Sequence, residues 1–259
     1  MMDVNESLKT VLKRLRLSGI LHTLPDRIAY AKKTGLTYQD FMELVLQDEI
    51  DRRDYKGLEL RLRKAQFQEE QVFENFDFNA PVTFDRDKVK NLFGLGFLDR
   101  REDVIFMGPV GVGKTFLASS LGHAACRAGR KVLFLRADAM LKQLFQSRAD
   151  NSTDRVMRRL LAHDLLIIDD FGLRNLNHDQ SADFYEIIIE RHKRTSTIFT
   201  SNRSVEDWVP LFADPILAQS ALDRLAHNSH QVVIEGQSYR TKQGPAASNR
   251  KPSTRKGGK

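Results

Sequence analysis

Gly108-Pro109-Val110-Gly111-Val112-Gly113-Lys114-Thr115 sets three glycines, a lysine and a hydroxyl in the spacing G-x-x-x-x-G-K-[ST], the pattern of a loop that wraps a polyphosphate. Glycine lets backbone N–H groups turn toward an anion without Cβ clashes, the lysine neutralises β- and γ-phosphates, and the hydroxyl takes a position on Mg²⁺. All eight residues are candidate ATP ligands, with Lys114 also a catalytic candidate and Thr115 a candidate metal ligand. Phosphoryl chemistry needs two further groups, a carboxylate for the metal and a residue that orients the attacking water. Leu165-Leu166-Ile167-Ile168-Asp169-Asp170 offers both. Its apolar run is that of a strand buried on both faces, and acids at the carboxyl end of such a strand lie where open α/β sheets bind ligands. Asp169 is expected on Mg²⁺, and Asp170 as general base. A third element, Ser196-Thr197-Ile198-Phe199-Thr200-Ser201-Asn202, ends in a side chain able to bond the γ-phosphate or the attacking water. Asp-Asp and Ser-Asn are each common turn formers; their order behind the glycine-rich loop is what makes them a candidate site.

A parallel sheet is the scaffold that brings such residues together. Short apolar runs at 104–107, 132–135, 165–168, 197–200 and 231–234 alternate with helical patterns, which implies β-α units and a sheet covered on both faces. The first of these runs feeds the glycine-rich loop, and a helix leaves the loop near Lys114. Upstream, Leu8, Val11, Leu12, Leu15 and Leu17 recur at mostly helical spacing between Lys9, Lys13, Arg14 and Arg16, an amphipathic helix. A second helix is expected after Gly19 and Pro25, and Thr37 to Asp40 is a capping signal for a third, charge-laced one running to Lys64. Residues 1–66 therefore read as a small helical domain. Residues 67–84 lose the period and become aromatic and acidic, with Phe67, Phe73, Phe76 and Phe78, an extended linker lying on a neighbouring surface. Residues 85–243 read as the nucleotide-binding α/β domain and 244–259 as a basic, disordered tail.

Composition narrows the function classes. A chain of 259 residues that is 41% apolar and 29% charged is not disordered as a whole. No run approaches the roughly eighteen apolar residues that span a bilayer, and the first residues lack a basic-then-apolar leader. One cysteine, Cys126, allows no internal disulfide and fits a reducing compartment. The net charge of +7 suggests nucleic acid until it is located: five of those charges lie in 244–259, where they either touch phosphates without reading sequence or sit in solvent. A basic groove has to come from local residues. Arg155, Arg158 and Arg159 share one helical face and, with Lys142 and Arg148, are the candidate DNA contacts, although Asp138, Asp150, Asp154 and Asp164 lie among them as on an ordinary solvated face. No carboxylate triad for a two-metal nuclease is recognisable, which argues against strand-transfer chemistry in this chain.

With the three nucleotide elements in this order, the chain resembles the AAA+ ATPases. Within them it is similar to the IstB-type transposition helper ATPases, near relatives of the helicase loader DnaC. The resemblance is nearly full-length and is carried by 44–53 with Glu49 and Arg52, Lys64-Ala65-Gln66-Phe67, Phe76-Asp77-Phe78, the glycine-rich loop and 165–172. It continues through Thr200-Ser201-Asn202 and Trp208, Leu222-Asp223-Arg224-Leu225, and Gly236-Gln237-Ser238-Tyr239-Arg240. The resemblance implies an AAA+ P-loop core preceded by a small all-α domain for oligomerisation or partner binding. It implies Mg²⁺-dependent ATP hydrolysis stimulated by DNA and by ATP-dependent homo-oligomerisation. Double-stranded DNA and a cognate transposase are the implied partners, with no membrane, in bacterial cytoplasm at the nucleoid. The alternative is a DnaC-like loader of a replicative helicase. On spacing alone Arg224 ends a helix over 216–227 and complements its dipole; the resemblance instead makes it a catalytic arginine that reaches the neighbouring subunit's γ-phosphate. Two departures stand out. Many AAA+ proteins carry Glu where this chain has Asp170, a methylene shorter. Only thirty-five residues follow Arg224, too few for the usual helical lid, so Arg240 either replaces the lid arginine or pairs with a carboxylate.

Overall fold

The computed structural model of the chain describes residues 4–77 and 80–238. It divides into two compact units, Met1–Leu60 and Arg61–Lys259. Three helices build the first: α1 (Glu6–Arg14), α2 (Ile20–Thr34) and α3 (Tyr38–Ala65), within which the division falls. Asn5 Oδ1 caps α1 by accepting from Ser7 N–H at 2.8 Å, and Thr37 Oγ1 accepts from Asp40 N–H at 3.2 Å, the cap legible in the sequence. Val4, Ile20, Leu24 and Val45 form the core, with Leu12, Leu17 and Phe41 packed against it. Leu8 and Val11 of α1, and Leu15 just after it, stay exposed. The second helix does not wait for Pro25 to pass. It begins at Ile20 with the proline inside, because burial of Ile20 and Leu24 outweighs the one backbone bond Pro25 cannot donate. Its first turn is tight, His22 N–H reaching only to Gly19 O.

The second unit carries β1 (Val82–Thr83), α4 (Arg86–Phe93), α5 (Gly96–Arg100), β2 (Asp103–Met107), α6 (Lys114–Arg127), β3 (Val132–Arg136) and α7 (Ala137–Ala149). There follow α8 (Thr153–Leu161), β4 (Leu165–Phe171), α9 (His178–Arg191), β5 (Ser196–Ser201), α10 (Pro215–His227), β6 (Ser229–Val233) and β7 (Glu235–Gly236). Five strands form one parallel sheet in the order β3-β4-β5-β2-β6. All five expected strands are present, and β2 is buried along its whole length, as strands covered on both faces must be. Short β1 and β7 pair antiparallel, Val82 opposite Gly236. A buried arginine sits among backbone carbonyls: Arg191 donates to Leu160 O, His163 O, Ser196 O and Thr197 Oγ1. Nearby Asp103 accepts from Thr197 N–H, and burial pushes its carboxyl up to about 7. Among the described residues no helix follows α10, and no helix is long and apolar enough to cross a membrane.

Candidate nucleotide site

Strand β5 lies between β2 and β4, which draws the glycine-rich loop, the two acids and Asn202 to one end of the sheet. Gly108, Gly111 and Gly113 take φ of 146°, 81° and 98°, conformations a side chain would strain. Close packing forbids one too, since a Cβ on Gly108 would lie 2.0 Å from Ile234 O. Beyond Gly113, α6 starts at Lys114, and the N–H groups of its first turn face the loop. The buried Lys114 ammonium donates to Gly108 O at 2.7 Å, Pro109 O at 2.6 Å and Asn202 Oδ1 at 2.7 Å. Two residues picked out separately from the sequence are thus in direct contact.

The acids are held from both sides. Asp169 is buried, and its Oδ1 accepts from Thr115 Oγ1 at 2.9 Å and from Thr200 Oγ1 at 2.6 Å. Burial pushes the Asp169 carboxyl above its usual range, against the pull of those two hydroxyls. The β4–β5 register shifts between Ile168 and Phe171, and Asp170 sits in that irregularity at φ 57° with its N–H donated to Thr200 Oγ1 at 2.9 Å. Aspartate tolerates the left-handed conformation better than a longer side chain does, which gives the shorter acid at this position a physical reason.

The glycine-rich loop, Asp170 and Asn202 line a cavity of about 680 Å³ whose far wall is the linker, including Gln71, Asn75, Phe76 and Asp77. The linker was expected to lie on a surface; its part in this cavity was not read from the sequence. Phe76-Asp77-Phe78 was the available signal. Phe76 packs edge-on against Phe84 and Phe116 and lies over Gly113, where a Cβ would meet its ring at 3.1 Å.

Other expected residues fall elsewhere. Arg224 is exposed on α10 and donates to its own helix at Ser220 O and Oγ, 2.9 and 2.6 Å away. Trp208 is fully buried and donates to Ser201 Oγ at 3.1 Å, so it supports the end of β5 and does not line the cavity. Lys142, Arg155 and Arg158 are exposed, Arg158 bonded to Asp154 O, while Arg159 donates to Gln66 Oε1 at 2.9 Å. Arg148 does not belong with them. Its guanidinium makes a two-pronged pair with Asp183 at 2.6 and 3.0 Å that ties α7 to α9, which engages the side chain within the fold. Tyr239, Arg240 and the basic tail lie outside the described residues.

The family of IstB-like ATP binding proteins matches residues 10–247. An insertion-sequence ATP-binding protein of Mycobacterium tuberculosis is 39% identical over 240 residues, covering 92% of this chain and 96% of its own. The corresponding protein of insertion sequence IS21 from Pseudomonas aeruginosa is 36% identical, covering 91% and 89%. Among solved structures, DnaI superposes with a TM-score of 0.54 at 19% identity over 64% of this chain and 91% of its own. A DnaA bound to AMPPCP and single-stranded DNA gives 0.51 at 19% identity over 64% and 49%; at that identity both likenesses concern the fold, an AAA+ P-loop core. By its matched length and its relatives, the chain belongs to the family of IstB-like ATP-binding proteins.

Proposed function

We propose that the protein is a Mg²⁺-dependent ATPase that regulates transposition, its ATP-loaded subunits assembling on double-stranded DNA and there recruiting and stimulating a partner transposase. The observation that carries the nucleotide part is the convergence of Lys114, Asn202, Thr115 and Asp169 beside the three left-handed glycines. In this proposal Lys114 exchanges the carbonyls of Gly108 and Pro109 for phosphate oxygens, Asp170 takes the proton of the attacking water, and Asn202 orients that water or the γ-phosphate. The metal site fits Mg²⁺ by its donors. Thr115 and Asp169 offer oxygen only, and among the described residues no three His, Cys, Asp or Glu cluster to hold a metal unaided, so nucleotide phosphates and water complete the shell. Bound Mg²⁺ supplies charge neutralisation on the phosphates.

Transposition is supported by the relatives, which are insertion-sequence proteins. Lys142, Arg155, Arg158 and Arg159 are the proposed backbone contacts, and the N-terminal unit the proposed oligomerisation or partner-binding module. Purified protein is mixed with ATP, duplex DNA and either the transposase of its own insertion sequence or a replicative helicase. ATP-dependent co-sedimentation of transposase with the DNA complex is the expected result; retention of the helicase instead overturns the proposal in favour of a helicase loader.

A further inference from the structure

The glycine-rich loop is pressed from outside by one short stretch of chain. After β6 the chain runs back over the loop: Ile234 N–H donates to Met107 O at 2.7 Å, and the Ile234 carbonyl stands against Gly108. Four residues on, a Cβ built on Gly111 would lie 2.9 Å from the Cβ and 3.3 Å from the Cα of Ser238, and nearer still to its Oγ. Two of the three left-handed glycines are therefore closed by this stretch, and Phe76 covers the third. Its path is fixed before it reaches Gly111. Strand β7 pairs with β1, and Gln237 N–H donates to Pro81 O at 3.3 Å. Gly236, at φ 135°, packs so closely on the linker that a Cβ there would lie 2.8 Å from Val82 Cα, an approach that only glycine allows. Ser238 is thus delivered to the loop by two anchors, one on the parallel sheet and one on the linker.

We propose that Ser238 is a positioning residue for ATP, holding Gly111 in the conformation that turns the loop's N–H groups toward the phosphates. This rests on the nucleotide assignment above. Gly111 lines the cavity and Ser238 does not, so the side chain acts on the nucleotide through the loop and not by touching it. A loop with glycine at 108, 111 and 113 has many conformations open to it, and each one that points N–H groups elsewhere lowers the population able to bind. Packing on the outer side of Gly111 removes those conformations before ATP arrives, and order established in advance does not oppose binding. The contact works in both directions. A loop wrapped on phosphates is held against Ser238, so occupancy of the cavity is felt at the end of the stretch that starts at Ile234. The Gly236-Gln237-Ser238 part of the family resemblance thereby has a physical reason.

Cys126, the one cysteine of the chain, is buried, so Ser238→Cys introduces a thiol that a maleimide can address selectively. Labelling of the full chain is followed with Mg²⁺-ATP and without nucleotide, in dilute, DNA-free solution; Phe145→Cys, at an exposed site on α7, is the control. ATP is expected to slow labelling of Ser238→Cys by about tenfold or more and to leave the control unchanged. Ser238→Leu, which pushes bulk onto Gly111, should weaken ATP binding by about tenfold to a hundredfold, with the melting temperature in the absence of nucleotide close to that of the wild type. A side chain with only a folding role gives the opposite pattern, a lower melting temperature with ATP affinity intact. Equal labelling with and without ATP overturns the proposal, as does wild-type ATP affinity in Ser238→Leu. Should Ser238→Leu not fold, the labelling comparison still decides. Lys114→Ala separates the two levels. If ATP binding, measured by calorimetry, needs Lys114 while labelling ignores ATP, the nucleotide site stands and the role of Ser238 falls; if ATP binds Lys114→Ala normally, the site itself is misplaced and the role of Ser238 falls with it.

Discussion

Thr200 is one buried hydroxyl that serves both acids, donating to Asp169 Oδ1 at 2.6 Å and accepting from Asp170 N–H at 2.9 Å. Thr200→Val keeps the shape and removes both bonds, leaving the Asp170 N–H bare at a cost of about 1–3 kcal/mol. The expected result is a lower melting temperature together with a smaller gain in nucleotide affinity on adding Mg²⁺, while affinity without Mg²⁺ holds; Thr200→Ser should restore both. Wild-type Mg²⁺ dependence in Thr200→Val would show that the hydroxyl is only packing. Asp170→Asn tests the neighbouring position differently. Asparagine also accepts the left-handed φ of 57° but cannot take a proton, so folding and ATP binding should persist while turnover falls by about 10²–10⁴-fold. Single-turnover hydrolysis checks it, and an unchanged rate would move the base elsewhere. Asp169 and Asp170 could be read from an apolar run that ends in acids. Thr200 could not be given a role, because a threonine inside a strand is what a strand prefers anyway.

At the scale of elements, the strands were legible because each is a short apolar run, and burial on both faces leaves little room for any other pattern. Less was visible where distant segments meet. Pairing of β1 with β7 involves two residues on each side, too few for a periodic signal, and the Arg191–Asp103 region puts charge in the core for reasons that only the carbonyls around it supply. Glu49 and Arg52 marked the family resemblance without a reason, and α3 provides one. Glu49 is buried and accepts from Arg52 at 2.6 and 3.0 Å and from Arg53 at 2.8 Å. Gly19 packs so closely that a Cβ there would fall 1.7 Å from Arg52 Nε. The Arg52 hydrogen bond, with that of Arg53, holds the Glu49 carboxyl down to about 2 from 4.5. A lowered carboxyl stabilises the fold above its unfolded value and loses that contribution as pH falls toward the folded one. Glu49→Gln should therefore cost about 2 kcal/mol near neutral pH, less than a fully enclosed pair because both arginines reach water. The gap in melting temperature from wild type should close as pH drops from about 4.5 toward 2; a gap independent of pH would mean that packing, not charge, is what the substitution removes.

At the scale of the whole molecule, charge that looks alike along the chain separates into two roles. Arg148 is spent on Asp183, whereas Arg155 and Arg158 stay exposed on α8, a division that no spacing rule reveals because the partner lies thirty-five residues away. Replacing Arg155 and Arg158 together should flatten the log–log dependence of DNA affinity on salt by about two, one phosphate contact each. Arg148→Ala should lower thermal stability and leave that slope alone, and the reverse pattern would exchange their roles. Arg224 poses the question of assembly. Among the described residues of one chain it bonds its own helix at Ser220 and does not line the nucleotide cavity, so a catalytic part for it calls for a second subunit. If it reaches a neighbour's γ-phosphate, Arg224→Ala subunits bind ATP through their own Lys114 and Thr115 but leave the adjoining site without its cation. DNA-stimulated hydrolysis should then fall by about 10³-fold or more, with monomer nucleotide affinity intact. Mixing is the sharper measurement. Arg224→Ala subunits keep an intact loop and Lys114→Ala subunits an intact arginine, so interfaces that join one of each should hydrolyse ATP and raise the rate above that of either variant alone. Wild-type hydrolysis by Arg224→Ala in the DNA-bound assembly would leave the arginine as a helix-end residue, stabilising α10 through its dipole and nothing more.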